Sequence, residues 1–352
     1  MTMVYKESIQ NALAKVVDPT SGATLLTVAK VSGLVINEGN VSFSLEVDPA
    51  KGHAMEGLRK ASEAAVLLIS GVSSVKAVLT AHRGTVHPQQ NRIPPRQAIP
   101  KIKSIIAVAS GKGGVGKSTV ATNLAIALSE NGLKVGMLDA DVYGPSLPRM
   151  MGIKHKSEIF KGKKILPLEN HRIKCMSIGF LTAEDTPTIW RGPMVMGALE
   201  QMLRDVEWGE LDLLVVDMPP GTGDAQITMA QRVPMAGAVI VSTPQDIALI
   251  DARKGLNMFR RVAVPILGIV ENMSYFICPC CGKRSDIFGY EGARIEAKKL
   301  SVPFLGEIPL HLDIRVASDN GTPIVASKPL TSHGTAFTNI ANKVKLAISG
   351  SC

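Results

Sequence analysis

The sequence predicts an α/β protein in which a doubly wound, mostly parallel sheet follows a small α+β domain. Three observations predict this fold. Short apolar runs alternate with helical segments through most of the chain, as strands and helices do in a parallel sheet covered on both faces. Aromatic residues make up only 4% of the chain, so aliphatic side chains must form the core. A proline-rich basic stretch separates this region from a shorter one with strand-like alternation.

The composition limits the class of protein. The chain has 352 residues, 45% of them hydrophobic, which suits two domains with real cores. A net charge of +9 suggests an anionic partner such as nucleotide phosphate, nucleic acid or an acidic protein. The basic residues are spread along the chain, so we expect no nucleic-acid partner. No apolar run approaches the ~18 residues that span a bilayer, and Met1–Gln10 does not resemble a secretory signal. We therefore expect a cytoplasmic protein without a membrane partner.

Residues 1–83 are predicted to form the small α+β domain. Val41–Val47 alternates as a strand, Met55–Ile69 is helical, and Val75–Ala81 is another strand. The predicted buried face of that helix carries Leu58, Ala61, Ala65 and Leu68.

Residues 84–103 are predicted to form a linker, because prolines and basic residues alternate there without an acidic residue. A nucleic-acid-binding arm is the alternative.

Residues 104–352 are predicted to form the parallel α/β domain. Helices are expected at Lys117–Asn131 and Ile250–Arg261. The predicted strands are Ile105–Ser110, Val135–Asp139, Leu213–Asp217, Ala238–Thr243, Ile266–Glu271 and Phe304–Ile308. Ligands of such sheets bind beyond the carboxyl ends of the strands, and the motifs described below follow strand ends.

A phosphate-binding loop is predicted at residues 111–119, which read GKGGVGKST. The pattern G-x-x-x-x-G-K-[ST] lies between a strand and a helix, as a P-loop requires. Lys117 would contact the β- and γ-phosphates of ATP, and Ser118 would coordinate Mg²⁺. The alternative is a chance glycine-rich loop. The residues expected to bind nucleotide are Gly111, Gly113, Gly114, Val115, Gly116, Lys117, Ser118 and Thr119.

Lys112 adds a second lysine early in this loop. The form K-G-G-x-G-K-[ST] resembles the deviant Walker A ATPases, to which MinD, ParA and nitrogenase iron protein belong. The resemblance implies that Lys112 contacts the nucleotide of a partner subunit and stabilises the transition state, as an arginine finger does. It also implies a homodimer. A solvated loop lysine is the alternative.

Three aspartates end predicted strands beside this loop, where carboxylates suit Mg²⁺ and water. By resemblance, Asp141 would position or activate the attacking water, Asp139 would assist at Mg²⁺, and Asp217 would be the Walker B carboxylate. Each could instead cap a helix or accept a turn amide. Residues 219–224, PPGTGD, read as a switch loop. Asn272 lies where the class recognises adenine, although it could merely turn the chain.

Cys278 and Cys281 form a C-x-x-C pair. Thiolates bind soft metals and iron–sulfur clusters, but one pair supplies only half of a tetrahedral set. A symmetric dimer would supply four sulfurs. A shared 4Fe–4S cluster is our first interpretation, and a structural zinc or a dithiol redox pair are the alternatives. Cys280 is expected to be a spectator, Cys175 a buried strand residue and Cys352 a terminal thiol.

Several strings together resemble the Mrp/ApbC family of iron–sulfur cluster carrier ATPases, over residues 103–345. They are the P-loop, DADVYGPS (139–146), WRGP (190–193), DMPPGTGD (217–224), TPQ (243–245) and ENMSYF (271–276). The resemblance implies ATP binding and hydrolysis, coupled to a cluster that is bridged across a homodimer and transferred to apoproteins, in exchange with scaffold proteins.

The first domain is similar to the metal–sulfur cluster assembly domain often fused to this family. That domain commonly carries a cysteine in a turn that here reads DPAKGH (48–53). Partner docking is therefore the expected role of this domain.

Two other functions remain open from the sequence. The first is a MinD/ParA-like positioning ATPase on membrane or DNA. Its relatives use an amphipathic C-terminal helix, whereas Phe337–Ile348 carries few charges and is expected to pack on its own core, through Ile340, Val344 and Ile348. The second is an ATP-dependent chaperone with a structural zinc at the C-x-x-C.

Overall fold

The structure is a computed structural model that describes residues 6–19, 22–37, 39–47, 55–81, 98–160, 164–181 and 192–350. The chain divides into two compact units, residues 1–92 and 93–352. The predicted linker lies mostly outside the described residues, as do the turn at 48–53 and Cys352.

The first unit is a three-stranded sheet with helices. Its elements are α1 (Lys6–Ala14), α2 (Leu25–Val28), β1 (Lys30–Asn37), β2 (Asn40–Val47), α3 (Glu56–Leu67) and β3 (Ser74–Ala81). Strand β2 pairs antiparallel with β1 and parallel with β3. Its alternate residues Val41, Phe43, Leu45 and Val47 are buried, as the sequence predicts.

One detail of α3 is wrong in the sequence prediction. The helix buries Leu58, Ser62 and Val66, and Leu68 is 87% exposed at its C-terminal end. The buried stripe therefore turns away from Leu68, and the Ser62 hydroxyl is accommodated inside because it donates to the Leu58 carbonyl at 2.8 Å.

The second unit contains the larger sheet and two small hairpins, β6-β7 and β13-β14. The strands of this unit are β4 (Ile102–Ala109), β5 (Val135–Asp139), β6 (Ile159–Phe160), β7 (Lys164–Ile165), β8 (Leu168–Asn170), β9 (Ile173–Ser177), β10 (Leu211–Asp217), β11 (Gly237–Ser242), β12 (Ile266–Glu271), β13 (Phe276–Ile277), β14 (Arg284–Ser285) and β15 (Phe304–Glu307). Its helices are α4 (Lys117–Glu130), α5 (Leu147–Met150), α6 (Gly192–Arg204), α7 (Asp224–Arg232), α8 (Asp246–Arg261), α9 (Gly292–Lys299), α10 (Leu312–Asp319), α11 (Ile324–Ser327) and α12 (Ser332–Ser349).

Eight strands form one sheet in the order β15-β12-β11-β4-β10-β5-β9-β8. All neighbouring pairs are parallel except β8 and β9. The predicted mostly parallel, doubly wound sheet is therefore confirmed. The antiparallel edge strand β8 was not predicted, because three residues between turns carry too little periodicity to identify a strand. Strand β4 lies in the middle, so the loop that follows it emerges at the centre of the carboxyl edge.

Helix α4 is enclosed on several sides. Its residues from Val120 to Leu128 are all buried, and it packs against the sheet and against α11 and α12. The Asn123 side-chain oxygen accepts the Val325 N–H at 3.1 Å, and Lys345 donates to the Asn131 carbonyl at 2.8 Å. The helix that carries the predicted P-loop is thus an interior element.

Helix α12 buries Phe337, Ile340 and Val344 against this unit, and Ile348 is partly buried on the same core. This confirms the expected packing of the C-terminal helix on its own domain. Within the described residues, we find no helix whose length and hydropathy would allow it to cross a bilayer.

Gly111 is enclosed by the backbone of α8. A Cβ at this position would lie 1.9 Å from the Asp251 carbonyl oxygen and 2.6 Å from the Ala252 nitrogen. Because helix backbone cannot yield as a side chain can, we expect Gly111→Ala to lower the free energy of unfolding by about 3 kcal/mol. Urea denaturation measures this loss. Gly113→Ala is the matched control, since a Cβ there has no atom within 4 Å; an equal loss in both variants would contradict the packing explanation.

Candidate functional site

The loop between β4 and α4 has the backbone geometry of a phosphate cradle. Gly114 and Gly116 have φ of 82° and 80°, values that L side chains rarely adopt. Gly116 is the N-cap of α4, and the helix begins at Lys117. Unpaired N–H groups at a helix N-terminus attract phosphate. The structure therefore places the predicted P-loop between a strand and the N-terminus of a helix, as the sequence predicts.

Lys117 and Asp217 form a buried ion pair, with 6% and 1% of their side chains exposed. Lys117 also donates to the Ser118 hydroxyl at 3.1 Å. Asp217 is the last residue of β10 and lies in register with Asp139, the last residue of β5. Parallel pairing thus brings four of the predicted phosphate and Mg²⁺ residues to one point on the sheet edge.

Asp139 is engaged by the loop that follows it. Its carboxylate accepts the N–H groups of Asp141, Ser146 and Leu147 at 3.1–3.2 Å and the Ser177 hydroxyl at 3.1 Å. Burial and the neighbouring Asp217 carboxylate raise the pKa of Asp139 to about 7. These contacts match the alternative role of accepting turn amides, and its assistance at Mg²⁺ stays a prediction.

Asp141 is half-buried on the same loop. Its carboxylate accepts the Gly144 N–H at 3.3 Å, and burial raises its pKa. A raised pKa increases the basicity of the carboxylate, which is compatible with a contact to water.

Lys112 lies exposed at the tip of the loop. The Ser110 hydroxyl donates to the Lys112 backbone carbonyl at 2.9 Å. The contact of Lys112 with a partner's nucleotide stays a prediction.

The predicted switch loop is linked to the P-loop strand. The Gly221 N–H donates to the Ser110 carbonyl at 2.9 Å, and Gly221 has φ of 94°. The Gln226 side chain holds the same loop by donating to the Pro220 carbonyl at 2.6 Å. Residues 219–224 thus lie beside the phosphate cradle, where a switch loop belongs.

Asn272 contacts the P-loop directly. Its buried side-chain amide donates to the Val115 carbonyl at 2.8 Å, and Gly116 is in such close contact that a Cβ would lie 2.2 Å from the Asn272 amide nitrogen. The sequence did not predict this contact, because it joins residues 157 positions apart. Adenine recognition by Asn272 stays a prediction.

The cysteine pair lies on a small hairpin formed by β13 and β14. The Cys278 N–H donates to the Lys283 carbonyl at 3.0 Å, and the Gly282 N–H donates to the Cys278 carbonyl at 2.8 Å. Cys280 and Cys281 are exposed and Cys278 is partly exposed. Cys175 is buried in β9, as predicted. The hairpin therefore leaves Cys280 and Cys281 exposed and Cys278 partly exposed to solvent.

Cys278 has a thiol that favours ionisation. Hydrogen bonds from the Cys281 and Cys280 backbones to its sulfur, together with the nearby Cys281 thiol, lower the pKa of Cys278. We expect iodoacetamide to alkylate Cys278 with a pH midpoint below the usual ~8.5, because the thiolate is the nucleophile. Mass spectrometry of a pH series measures the midpoint. Burial raises the pKa of Cys175, so Cys175 should stay unlabelled until the protein is denatured. A Cys278 midpoint at or above ~8.5 would contradict the effect of these hydrogen bonds.

A polar network that the sequence did not predict anchors the hairpin. The Ser274 hydroxyl lies 2.5 Å from Glu271 and 3.1 Å from Glu307. Arg284 stacks over the Tyr275 ring at 4.1 Å and lies 3.6 Å from Glu307. Glu271 is fully buried at the end of an apolar strand. A carboxylate in such a position requires hydrogen-bond partners, so Glu271 could have indicated this network from the sequence.

Comparison with known families gives two matches. The model of the "NUBPL iron-transfer P-loop NTPase" family matches residues 101–345. The model of the "Iron-sulfur cluster assembly protein" family matches residues 6–77.

Individual relatives agree with these matches. An iron-sulfur cluster carrier protein of Synechocystis is 45% identical, over 99% of this chain and 99% of the relative. The Escherichia coli protein with the same description is 43% identical, over 96% and 90%. An Arabidopsis thaliana iron-sulfur protein required for NADH dehydrogenase is 57% identical over 69% of this chain and 78% of the relative.

Solved structures resemble the second unit. A nucleotide-binding protein from Archaeoglobus fulgidus in complex with ADP has a TM-score of 0.59 and 42% identity, and the match covers 67% of this chain and 93% of that one. The cell division ATPase MinD of Pyrococcus furiosus has a TM-score of 0.53 at 24% identity, covering 69% and 99%. This second likeness concerns the fold alone.

Proposed function

The chain belongs to the NUBPL-type iron-transfer P-loop NTPases, and from this premise we propose an ATP-dependent iron–sulfur cluster carrier. In this proposal the protein binds and hydrolyses ATP and holds a 4Fe–4S cluster across a homodimer. The cluster is cargo that scaffold proteins supply and apoproteins receive. We place this activity in the cytoplasm.

The contact between Asn272 and the P-loop is the observation that carries the proposal. Asn272 holds the Val115 carbonyl, and the same segment of chain reaches Cys278 six residues later. Tyr275 and Ser274, between them, are fixed to residues that follow β15. A conformational change at the phosphate cradle could therefore reach the cysteine hairpin through six residues of chain. Coupling of ATP to cluster transfer requires such a connection.

The proposed roles follow the geometry of the cradle. Backbone N–H groups of residues 111–119 and the Lys117 ammonium would bind the phosphates. Ser118 and Asp217 would hold Mg²⁺, whose charge stabilises the phosphoryl group during transfer. Asp139 fixes the loop that carries Asp141, and Asp141 would orient the attacking water. Asn272 would contact adenine.

Two features support a homodimer. The hairpin presents one C-x-x-C pair, whereas a 4Fe–4S cluster takes four thiolates. Two symmetric copies would supply them from Cys278 and Cys281 of each. The exposed Lys112 would then lie near the nucleotide of the partner. The first unit matches a cluster assembly domain, and we assign it to docking of clients or scaffolds.

Reconstitution and transfer test this function. Protein purified without oxygen and treated with equal amounts of ferrous and ferric iron and with sulfide should form a brown dimer with about two iron and two sulfide per chain. The cluster should pass to an apoprotein that requires a 4Fe–4S centre, and faster with ATP than without it. Zinc at the cysteines in place of iron would support the chaperone alternative, and a species that stays monomeric throughout would overturn the proposal.

Lys112 gives a separate test of the dimer. We expect Lys112→Ala to bind ATP normally but to hydrolyse it about 100-fold more slowly, because a charge that stabilises the transition state from the partner is lost. Nucleotide binding and phosphate release are measured on the same preparation. Lys134→Ala, which removes another exposed lysine of this unit, is the control. Unchanged hydrolysis in Lys112→Ala would mean that this lysine is only solvated.

A further inference from the structure

Three metal-ligating side chains meet at the ends of two helices, on elements that the cysteine pair does not use. His311 is the N-cap of α10, Asp313 lies in the first turn of α10, and His333 lies in the first turn of α12. Each offers one ligand atom, and these atoms all lie within 4.8 Å of one another. Helix packing therefore brings two imidazoles and one carboxylate to a single point.

His333 is the observation that indicates a ligand. The residue is 5% exposed, and among the described residues its buried Nε2 atom has no hydrogen-bond partner. A buried polar atom in that state destabilises the fold. Nε2 lies 3.9 Å from Asp313 Oδ2, which is too far for a hydrogen bond.

Asp313 forms an ion pair with the exposed side chain of Lys328. Lys328 donates to Asp313 Oδ2 at 2.6 Å, and the Lys328 side chain is 51% exposed. The ammonium holds the pKa of Asp313 below its usual range. Because Lys328 can turn to solvent at little cost, it neutralises the carboxylate without blocking it permanently.

His311 requires one adjustment. Its Nδ1 accepts the Asp313 N–H at 3.1 Å, and its ring stacks on the His333 ring with centroids 4.2 Å apart. A metal ion bound to Nδ1 of His311 would replace this N-cap hydrogen bond, whereas one bound to Nε2 would leave it in place. Coordination by several protein ligands is the stronger interaction, so the cap does not prevent binding.

We propose that His311, Asp313 and His333 form a second metal site, for a divalent first-row transition ion. Two histidines and one carboxylate with open positions form a ligand set typical of ferrous iron, and the same donors bind Co²⁺ and Zn²⁺. Bonds of about 2.0–2.2 Å require neighbouring donor atoms roughly 3.3 Å apart. The donor atoms lie within 4.8 Å of one another, and His333 and Asp313 are 3.9 Å apart, so the three side chains must move closer together on binding. The positive ends of α10 and α12 oppose the cation, and the site is therefore exchangeable. It does not depend on the proposed cluster function.

Cobalt titration tests the site in the full chain carrying Cys278→Ser, Cys280→Ser and Cys281→Ser. We expect about one Co²⁺ per chain, with visible d–d bands and no thiolate charge-transfer band. Competition with Zn²⁺ and, without oxygen, with Fe²⁺ then ranks the ions. Absence of Co²⁺ binding in this background would overturn the proposal whatever happens at the cysteines.

Variants localise the binding. His333→Ala and Asp313→Asn should each weaken Co²⁺ binding about tenfold or more, whereas His155→Ala, at an exposed histidine, should not. Lys328→Gln should strengthen binding, because it removes the competing ammonium from the surface without disturbing the buried ring. Circular dichroism reports whether each variant folds. Equal affinity in Lys328→Gln and its parent, or in His333→Ala and His155→Ala, would contradict the site.

Discussion

Lys117→Met is expected to lower ATP hydrolysis at least about 100-fold, because it removes the P-loop ammonium that we propose binds the phosphates. It should also destabilise the protein. Asp217 is 1% exposed and pairs with Lys117, and removing one partner of a buried pair costs about 3 kcal/mol or more. The measurements are phosphate release and the urea midpoint on the same sample.

A double variant separates these two effects. Asp217→Asn in the Lys117→Met background removes the unpaired buried charge, so most of the lost stability should return while hydrolysis stays absent. Lys103→Met is the matched control, since Lys103 pairs with Asp212 at 2.7 Å but is 77% exposed; such surface pairs contribute little. If Lys117→Met were as stable as Lys103→Met, the pair would not be buried in solution.

Replacing Cys278 and Cys281 together by serine is expected to reduce the iron and sulfide retained after reconstitution to background. Serine keeps the size of each side chain but removes the thiolate that binds iron. Desalted protein is assayed for iron and acid-labile sulfide, and its thermal unfolding is recorded. Little change in stability is expected, because the hairpin is exposed and hydrogen-bonded through its backbone.

Cys280→Ser is the control for this experiment. Its sulfur lies on the same exposed turn, one residue from Cys281, and it should retain the wild-type iron content. Loss of iron in Cys280→Ser with retention in the double variant would exchange the roles of these cysteines and contradict the C-x-x-C assignment.

The sequence predicts the sheet well because its strands are short and apolar. Strands β4, β5, β10, β11, β12 and β15 all lie within a few residues of their predicted bounds. Helix α8 begins at Asp246, four residues before its predicted start at Ile250, and the Leu249 N–H donates to the carbonyl of the N-cap residue Gln245 at 3.0 Å. Element bounds are set by such local contacts, and periodicity does not report them.

The site was predictable only where its chemistry is contiguous in sequence. Gly111–Thr119 and the C-x-x-C pair are local patterns, and the structure places each on the expected turn. The Asn272 contact with Val115 and the meeting of His311 with His333 join distant segments, so no spacing rule indicates them. Asp139 shows the remaining limit: a strand-end carboxylate beside a P-loop can bind Mg²⁺ or hold turn amides, and only its hydrogen bonds distinguish these roles.

The enclosure of α4 determines which parts of this unit are free to respond to nucleotide. The helix is clamped by the sheet, by Val325 of α11 and by Lys345 of α12, so it acts as a rigid base for the phosphates. We therefore expect a response to nucleotide at the rim, namely in the loops at 141–146 and 219–224 and in the cysteine hairpin. In such an arrangement, nucleotide exchange would change the loops and the cysteine hairpin, where a cluster would be released, and would leave the core unchanged.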